Sequence, residues 1–124
     1  MQIMNLKEVE NLETSEGIMS PLIFGKNLMA FYLQIPGRFK VKPHTHQGEG
    51  FLYCLSGKLE VTSNSGKVSI SSGTAMLVPP GVEAGVENKQ VEPFEAIIVS
   101  SPPVVKSLEE LKQFIGKYGA QNKG

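Results

Sequence analysis

The chain has 124 residues, enough for one hydrophobic core and too few for a second domain of ordinary size. Twelve basic residues offset twelve acidic ones, which leaves no global field to recruit nucleic acid or an anionic membrane, and an apolar share of 40% is ordinary for a soluble globular protein. The single Cys54 excludes an internal disulfide, no apolar run reaches the roughly 18 residues of a membrane span, and Met1 to Glu13 lacks the basic start and apolar middle of a secretory signal. A cytoplasmic protein with a small-molecule partner is expected.

In Met1 to Glu13, apolar residues recur at spacings of three, which predicts a short helical turn or an irregular edge. After a turn at Ser15-Glu16-Gly17, Ile18 to Phe24 is an apolar run broken by Pro21, the mark of an edge strand or a bulge. Leu28 to Ile35 reads as a buried strand ending at Pro36-Gly37. Phe39-Lys-Val-Lys alternates apolar with charged, Pro43 leads into the histidines, and Phe51 to Leu55 continues as a strand. Leu59 to Thr62 and Val68 to Ser71 flank the polar turn Ser63-Asn64-Ser65-Gly66, a hairpin pattern. Thr74 to Val78 is a strand, Pro79-Pro80-Gly81 a corner, and Val82 to Glu87 and Phe94 to Val99 complete the series. Strands at this spacing, punctuated by Gly and Pro, predict an antiparallel sandwich or barrel. Ser101-Pro102-Pro103 ends the sheet. Ser107 and Glu110 then form a capping-box pattern, and Leu108, Leu111, Phe114, Ile115 and Tyr118 make one apolar stripe of a helix that stops at Gly119; Ala120 to Gly124 should fray.

Both histidines lie in the stretch Gly37 to Gly57. Residues two apart on a strand share a face and lie roughly 6.5 Å apart, so His44 and His46 can converge on one ion or ligand. Imidazole suits zinc, iron, copper and nickel, and Glu49 is the carboxylate nearest to the pair in sequence. If both histidines face inward, alternation sends Gly50, Leu52 and Cys54 inward and Phe51, Tyr53 and Leu55 outward; Ala84, Val86 and Asn88 face inward on a later strand. Cys54 reads as a small buried hydrophobe and Arg38, the only arginine, as an exposed turn residue. No glycine-rich loop precedes a helix and no serine sits in a nucleophile elbow, so nucleotide hydrolysis and acyl transfer have no support.

Gly37, His44, His46, Glu49 and Gly57, followed by Gly73, Pro79, Gly81 and Asn88, resemble the two signature motifs of the cupin superfamily over about residues 28 to 100. The resemblance implies an all-β fold: an antiparallel barrel of jelly-roll type, about residues 17 to 100, with a short C-terminal helix at about 107 to 118, the whole chain forming a single cupin domain and pairing as a homodimer. Two positions depart from the family pattern. Its metal-binding glutamate falls on Gly50, one residue after Glu49, and a shift of one residue on a strand turns a side chain to the opposite face. Its third histidine falls on Ala84, which has no donor atom.

These observations predict a small-molecule-binding cupin with a pocket lined by His44, His46, Leu52, Cys54, Met76, Ala84 and Val86; the His44/His46 pair is then a structural or relict pair, a metal-free ligand site, or, with Glu49, a weak and incomplete site for a divalent metal (Fe, Zn, Mn or Ni). The alternative is a metal-dependent enzyme, a dioxygenase or isomerase, in which Glu49 or substrate completes the metal shell. Catalysis itself stays open at this point.

Overall fold

The computed structural model describes residues 1–116. The expected last turn of the C-terminal helix at Tyr118, its stop at Gly119 and the fraying of Ala120 to Gly124 lie outside the described residues.

Ten strands follow a single turn of 3-10 helix (Leu6–Glu8), which Asn5 caps by accepting the Lys7 N–H at 2.9 Å. They are β1 (Leu12–Thr14), β2 (Gly17–Phe24), β3 (Met29–Ile35), β4 (Lys40–His44), β5 (Glu49–Ser56), β6 (Lys58–Ser63), β7 (Gly66–Ser71), β8 (Ala75–Val78), β9 (Ala84–Glu87) and β10 (Phe94–Ser101). All pairs are antiparallel, in a six-stranded sheet ordered β1-β2-β3-β10-β5-β8 and a four-stranded sheet ordered β4-β9-β6-β7. This is the expected antiparallel jelly-roll barrel with a short C-terminal helix, α1 (Leu108–Phe114).

Period-two patterning sets which faces turn inward. In β3, Met29, Phe31, Leu33 and Ile35 are buried while Ala30, Tyr32 and Gln34 are partly open. In β5, Leu52 and Cys54 are buried and Phe51, Tyr53 and Leu55 exposed, as the alternation predicts. These inward residues join Leu59, Val61, Ile70, Phe94 and Ala96 in one core between the sheets. Pro21 sits beyond the stretch of β2 that β1 covers, and the register of β2 on β3 shifts between Pro21 and Ile23, so the missing N–H falls at a bulge. In the β6–β7 hairpin Ser63 pairs with Gly66, whose φ of 114° is open to glycine at little cost.

The buried Asn88 ties together two loops, the β3–β4 and β9–β10 connections. Its Nδ2 donates to the carbonyls of Ile35 (3.1 Å), Pro36 (3.2 Å) and Glu92 (2.9 Å), and its Oδ1 accepts the Gln90 N–H at 3.0 Å. In α1, the Ser107 hydroxyl accepts the Glu110 N–H at 3.1 Å, while the Glu110 carboxylate accepts from Lys106 N, one residue before the expected partner. Leu111 and Val105 bury into the barrel core and Ile115 packs against it.

Candidate functional site

The four-stranded sheet ends on β4 and the six-stranded sheet on the β1–β2 hairpin. Between these two edges lies an open cleft of about 580 Å³, with Ile18, Phe39, Val41 and Lys40 in its walls and Glu16 and His44 in its lining.

Glu16 occupies the β1–β2 turn. The Thr14 hydroxyl accepts the Glu16 N–H at 3.0 Å and donates to the Gly17 carbonyl at 2.8 Å, which fixes the turn. Gly17 follows at φ 119°, and a Cβ there would lie 2.7 Å from the Gln34 carbonyl oxygen, so only glycine closes this turn against β3.

His44 ends β4, directly opposite Ala84 of β9, after a bulge between Val41 and His44 that accommodates Pro43 on an edge strand. His46 lies just past the strand, where its carbonyl accepts the Gly81 N–H at 2.9 Å and is pinned to the Pro79-Pro80-Gly81 corner. Two residues on, a Cβ on Gly48 would meet the Ser101 carbonyl oxygen at 2.7 Å. The loop therefore runs tight against the end of β10, and the two imidazoles meet edge to face with centroids 4.7 Å apart.

Glu16, His44 and His46 bring three ligand atoms within 4.8 Å of one another, and they form the only such group of three among the described residues. The Glu16 Oε1 lies 2.7 Å from His44 Nε2 and 3.6 Å from His46 Nε2. The His44 Nδ1 sits 2.9 Å from the Lys42 carbonyl oxygen. Both ring nitrogens of His44 thus face acceptors, an arrangement that favours the doubly protonated, charged ring. Its hydrogen bond to Glu16 pushes the His44 pKa up to about 9 against the opposing effect of burial. Burial works to raise the Glu16 carboxyl, but hydrogen bonds and charge from the two imidazoles outweigh it and bring it down to about 2.

This donor set fits a divalent cation. Around a tetrahedral ion with bonds of about 2.0–2.1 Å the donors stand about 3.3 Å apart, so the Glu16–His46 spacing already suits one and the Glu16–His44 contact has to open by about 0.6 Å. The Lys42 carbonyl holds a proton on Nδ1 and so leaves Nε2 as the ligating atom once its own proton departs. Two imidazoles and one carboxylate suit iron, zinc, manganese or nickel and leave positions open for an external ligand. His46 is the most open of the three, its side chain 51% exposed.

Glu49, the carboxylate expected from its nearness in sequence, is not a member of this group. It opens β5 opposite Ser101, in the other sheet from His44, on the outward face with Phe51 and Tyr53. Its neighbour Gly50 takes the inward position, so the one-residue offset turns the carboxylate away. Glu16 takes its place from 28 residues upstream of His44, and no motif marks it.

Of the other expected pocket residues, Leu52 and Cys54 are core, and Met76, Ala84 and Val86 pack against that core; none of the five lines the cleft. The Cys54 thiol is fully buried and burial pushes its pKa up, so it behaves as a small hydrophobe. Arg38 is exposed in its turn at φ 66°.

Two antiparallel sheets in this strand order define the class of small jelly-roll barrels. Within it, the family of the cupin domain matches residues 31–100, and the chain belongs to the cupin family. None of the curated proteins matches the sequence. Among solved structures, KdgF from Halomonas sp. is similar at a TM-score of 0.74 and 20% identity over 82% of this chain and 94% of that one. The polyketide cyclase RemF from Streptomyces resistomycificus is similar at 0.73 and 16% identity, over 82% of this chain and 79% of that one. A predicted oxalate decarboxylase from Thermotoga maritima is similar at 0.72 and 20% identity, over 81% and 98%. At these identities the likeness is one of fold.

Proposed function

We propose that this chain is a small-molecule-binding cupin that holds a divalent cation through Glu16, His44 and His46, with its ligand entering from the adjoining cleft. The observation that carries this reading is the convergence of the Glu16 carboxylate on both imidazoles, at 2.7 and 3.6 Å. Three protein ligands retain a cation where two imidazoles alone hold it weakly. The balanced charge supports a small-molecule partner over nucleic acid or an anionic membrane, and the proposed location is the cytoplasm. The chain acts as one cupin domain, residues 1 to 124, and pairs as a homodimer.

Titration of chelator-treated protein with Zn(II) and Mn(II) tests the cation site. One equivalent binds the wild type, and both Glu16→Gln and His44→Ala weaken it at least about tenfold. Binding of equal strength in all three proteins, or none in the wild type, overturns the reading.

A second reading, a metal-dependent enzyme of dioxygenase or isomerase type, is favoured by the openness of His46 and by two fold neighbours whose names describe enzymes, a polyketide cyclase and a predicted oxalate decarboxylase. Here Glu16 stands where Glu49 was expected to complete the metal shell with His44 and His46. Turnover that follows metal loading separates the enzyme from the binding protein.

A further inference from the structure

An apolar line runs along one side of the cleft and ends at the cation site. In β4, Val41 pairs with Val86 and His44 with Ala84, and Val86 and Ala84 lie two apart on β9 and share a face. The bulge between Val41 and His44 takes up the odd residue, so both side chains turn the same way. Phe39, two residues before Val41, falls on that face as well and packs against the core. All three line the cleft. With one residue spent in the bulge, Phe39 and His44 stand roughly 13 Å apart along the strand at about 3.3 Å per residue.

The polar part of the lining is narrow in kind. Among the described residues it holds no Asn, Gln, Tyr or Arg, and its hydroxyls are those of Thr14 and Ser15. The Thr14 hydroxyl is already committed, accepting the Glu16 N–H and donating to the Gly17 carbonyl. A polyhydroxylated ligand such as a sugar needs an array of neutral donors and acceptors that these side chains do not supply. A phosphate ester would lack the planar fork of an arginine.

Charge and size narrow the class further. Glu13 and Glu16 offset Lys40 and Lys42 in the lining, so a divalent cation on Glu16, His44 and His46 leaves the cleft positive by two charges. A carboxylate answers that field and suits the open positions of such a cation. The volume of about 580 Å³ is that of a site for a medium-sized small molecule, and a two-carbon acid would leave most of it to water.

Resting on the cation-binding reading above, we infer that the ligand of this cleft is a carboxylic acid with an apolar body, its carboxylate at the cation and its body laid along Val41 and Phe39. Phe39, at the far end of the line, then sets how long a body is held. The inference names a ligand class for the site and does not depend on whether the bound acid is turned over.

Isothermal titration of the Zn(II)-loaded full chain tests this, with 3-phenylpropionate as the probe. The probe binds at least about 30-fold more tightly than acetate, which lacks the body, and than 3-phenylpropanol, which lacks the charge. Glucuronate, with hydroxyls in place of the apolar body, binds no better than acetate. In Mn(II)-loaded protein the methylene next to the carboxylate relaxes faster than the ring protons, because it lies nearer the paramagnetic ion. Phe39→Ser weakens the probe about tenfold and leaves acetate unchanged. Because Phe39 also packs against the core, thermal melting and Zn(II) binding check that this variant is folded. Replacing the exposed Lys40 and Lys42 together, Lys40→Gln with Lys42→Gln, leaves that packing alone and weakens the probe about threefold while Zn(II) still binds. A wild type that binds no Zn(II) overturns the cation reading and this ligand with it. A wild type that binds Zn(II) but takes 3-phenylpropionate no more tightly than acetate, or takes glucuronate more tightly than either, overturns the ligand class alone, as does a ring that relaxes faster than the methylene.

Discussion

Replacing Glu16 with glutamine in the metal-free protein removes the charge that holds His44 protonated while leaving a side chain of the same shape. The raised His44 pKa means that its contribution to stability is fully present below the ordinary 6.5 and is lost as pH rises through about 9. The lowered Glu16 pKa means that its contribution is present above the ordinary 4.5 and is lost as pH falls through about 2. Both are in force between 4.5 and 6.5, and they describe one ion pair, counted once. Unscreened, the rise from 6.5 to about 9 corresponds to about 3 kcal/mol. The two side chains are 34% and 37% exposed, and solvent screening brings the pair to about 1 kcal/mol. For a chain of this length that is about 4 °C in melting temperature. Thermal melts at about pH 5.5 and about pH 10 provide the assay: Glu16→Gln melts about 4 °C below the wild type at the lower pH, and the gap closes at the higher one. A gap of the same size at both pH values, or none at the lower, refutes the assignment of the ion pair.

Ala84 faces His44 across the β4–β9 pair, with Cβ atoms about 5 Å apart, so Ala84→His adds a third imidazole and tightens Zn(II) binding at least about tenfold in a chelator competition. Unchanged affinity would show that the two positions do not share a site. Asn88→Ala leaves the carbonyls of Ile35, Pro36 and Glu92 and the N–H of Gln90 without their buried partner; a loss of about 3 kcal/mol is expected in urea unfolding, and a loss under about 1 kcal/mol would sink the role given to this side chain. The fully buried Cys54 thiol reacts with a thiol reagent at about pH 8 only as fast as the protein unfolds, which stopped-flow comparison with the urea-denatured chain measures.

Much of the barrel is written locally. The alternation in Leu59 to Ser71 and the polar turn between its halves specify a hairpin from short-range chemistry alone, and β6 and β7 form it. The same rule sorted Leu52 and Cys54 from Phe51, Tyr53 and Leu55, because a pleated strand has a fixed period. The helix start at Ser107 was equally legible, since the cap and its Glu110 partner lie within one turn.

The site divides along that line. The spacing of His44 and His46 allowed two imidazoles to converge, and the offset of Glu49 from Gly50 already turned its carboxylate outward, but His46 lies past the end of β4 and is held by the Gly81 N–H, so the meeting of the rings also rests on tertiary contacts. What stands beside the imidazoles was decided only by the tertiary structure. Glu16 reaches them from a turn in the other sheet because the jelly roll brings the β1–β2 hairpin to the β4 edge. No periodicity within either segment carries that contact, since it depends on how two sheet edges close on one another and not on the chemistry of neighbours in the chain.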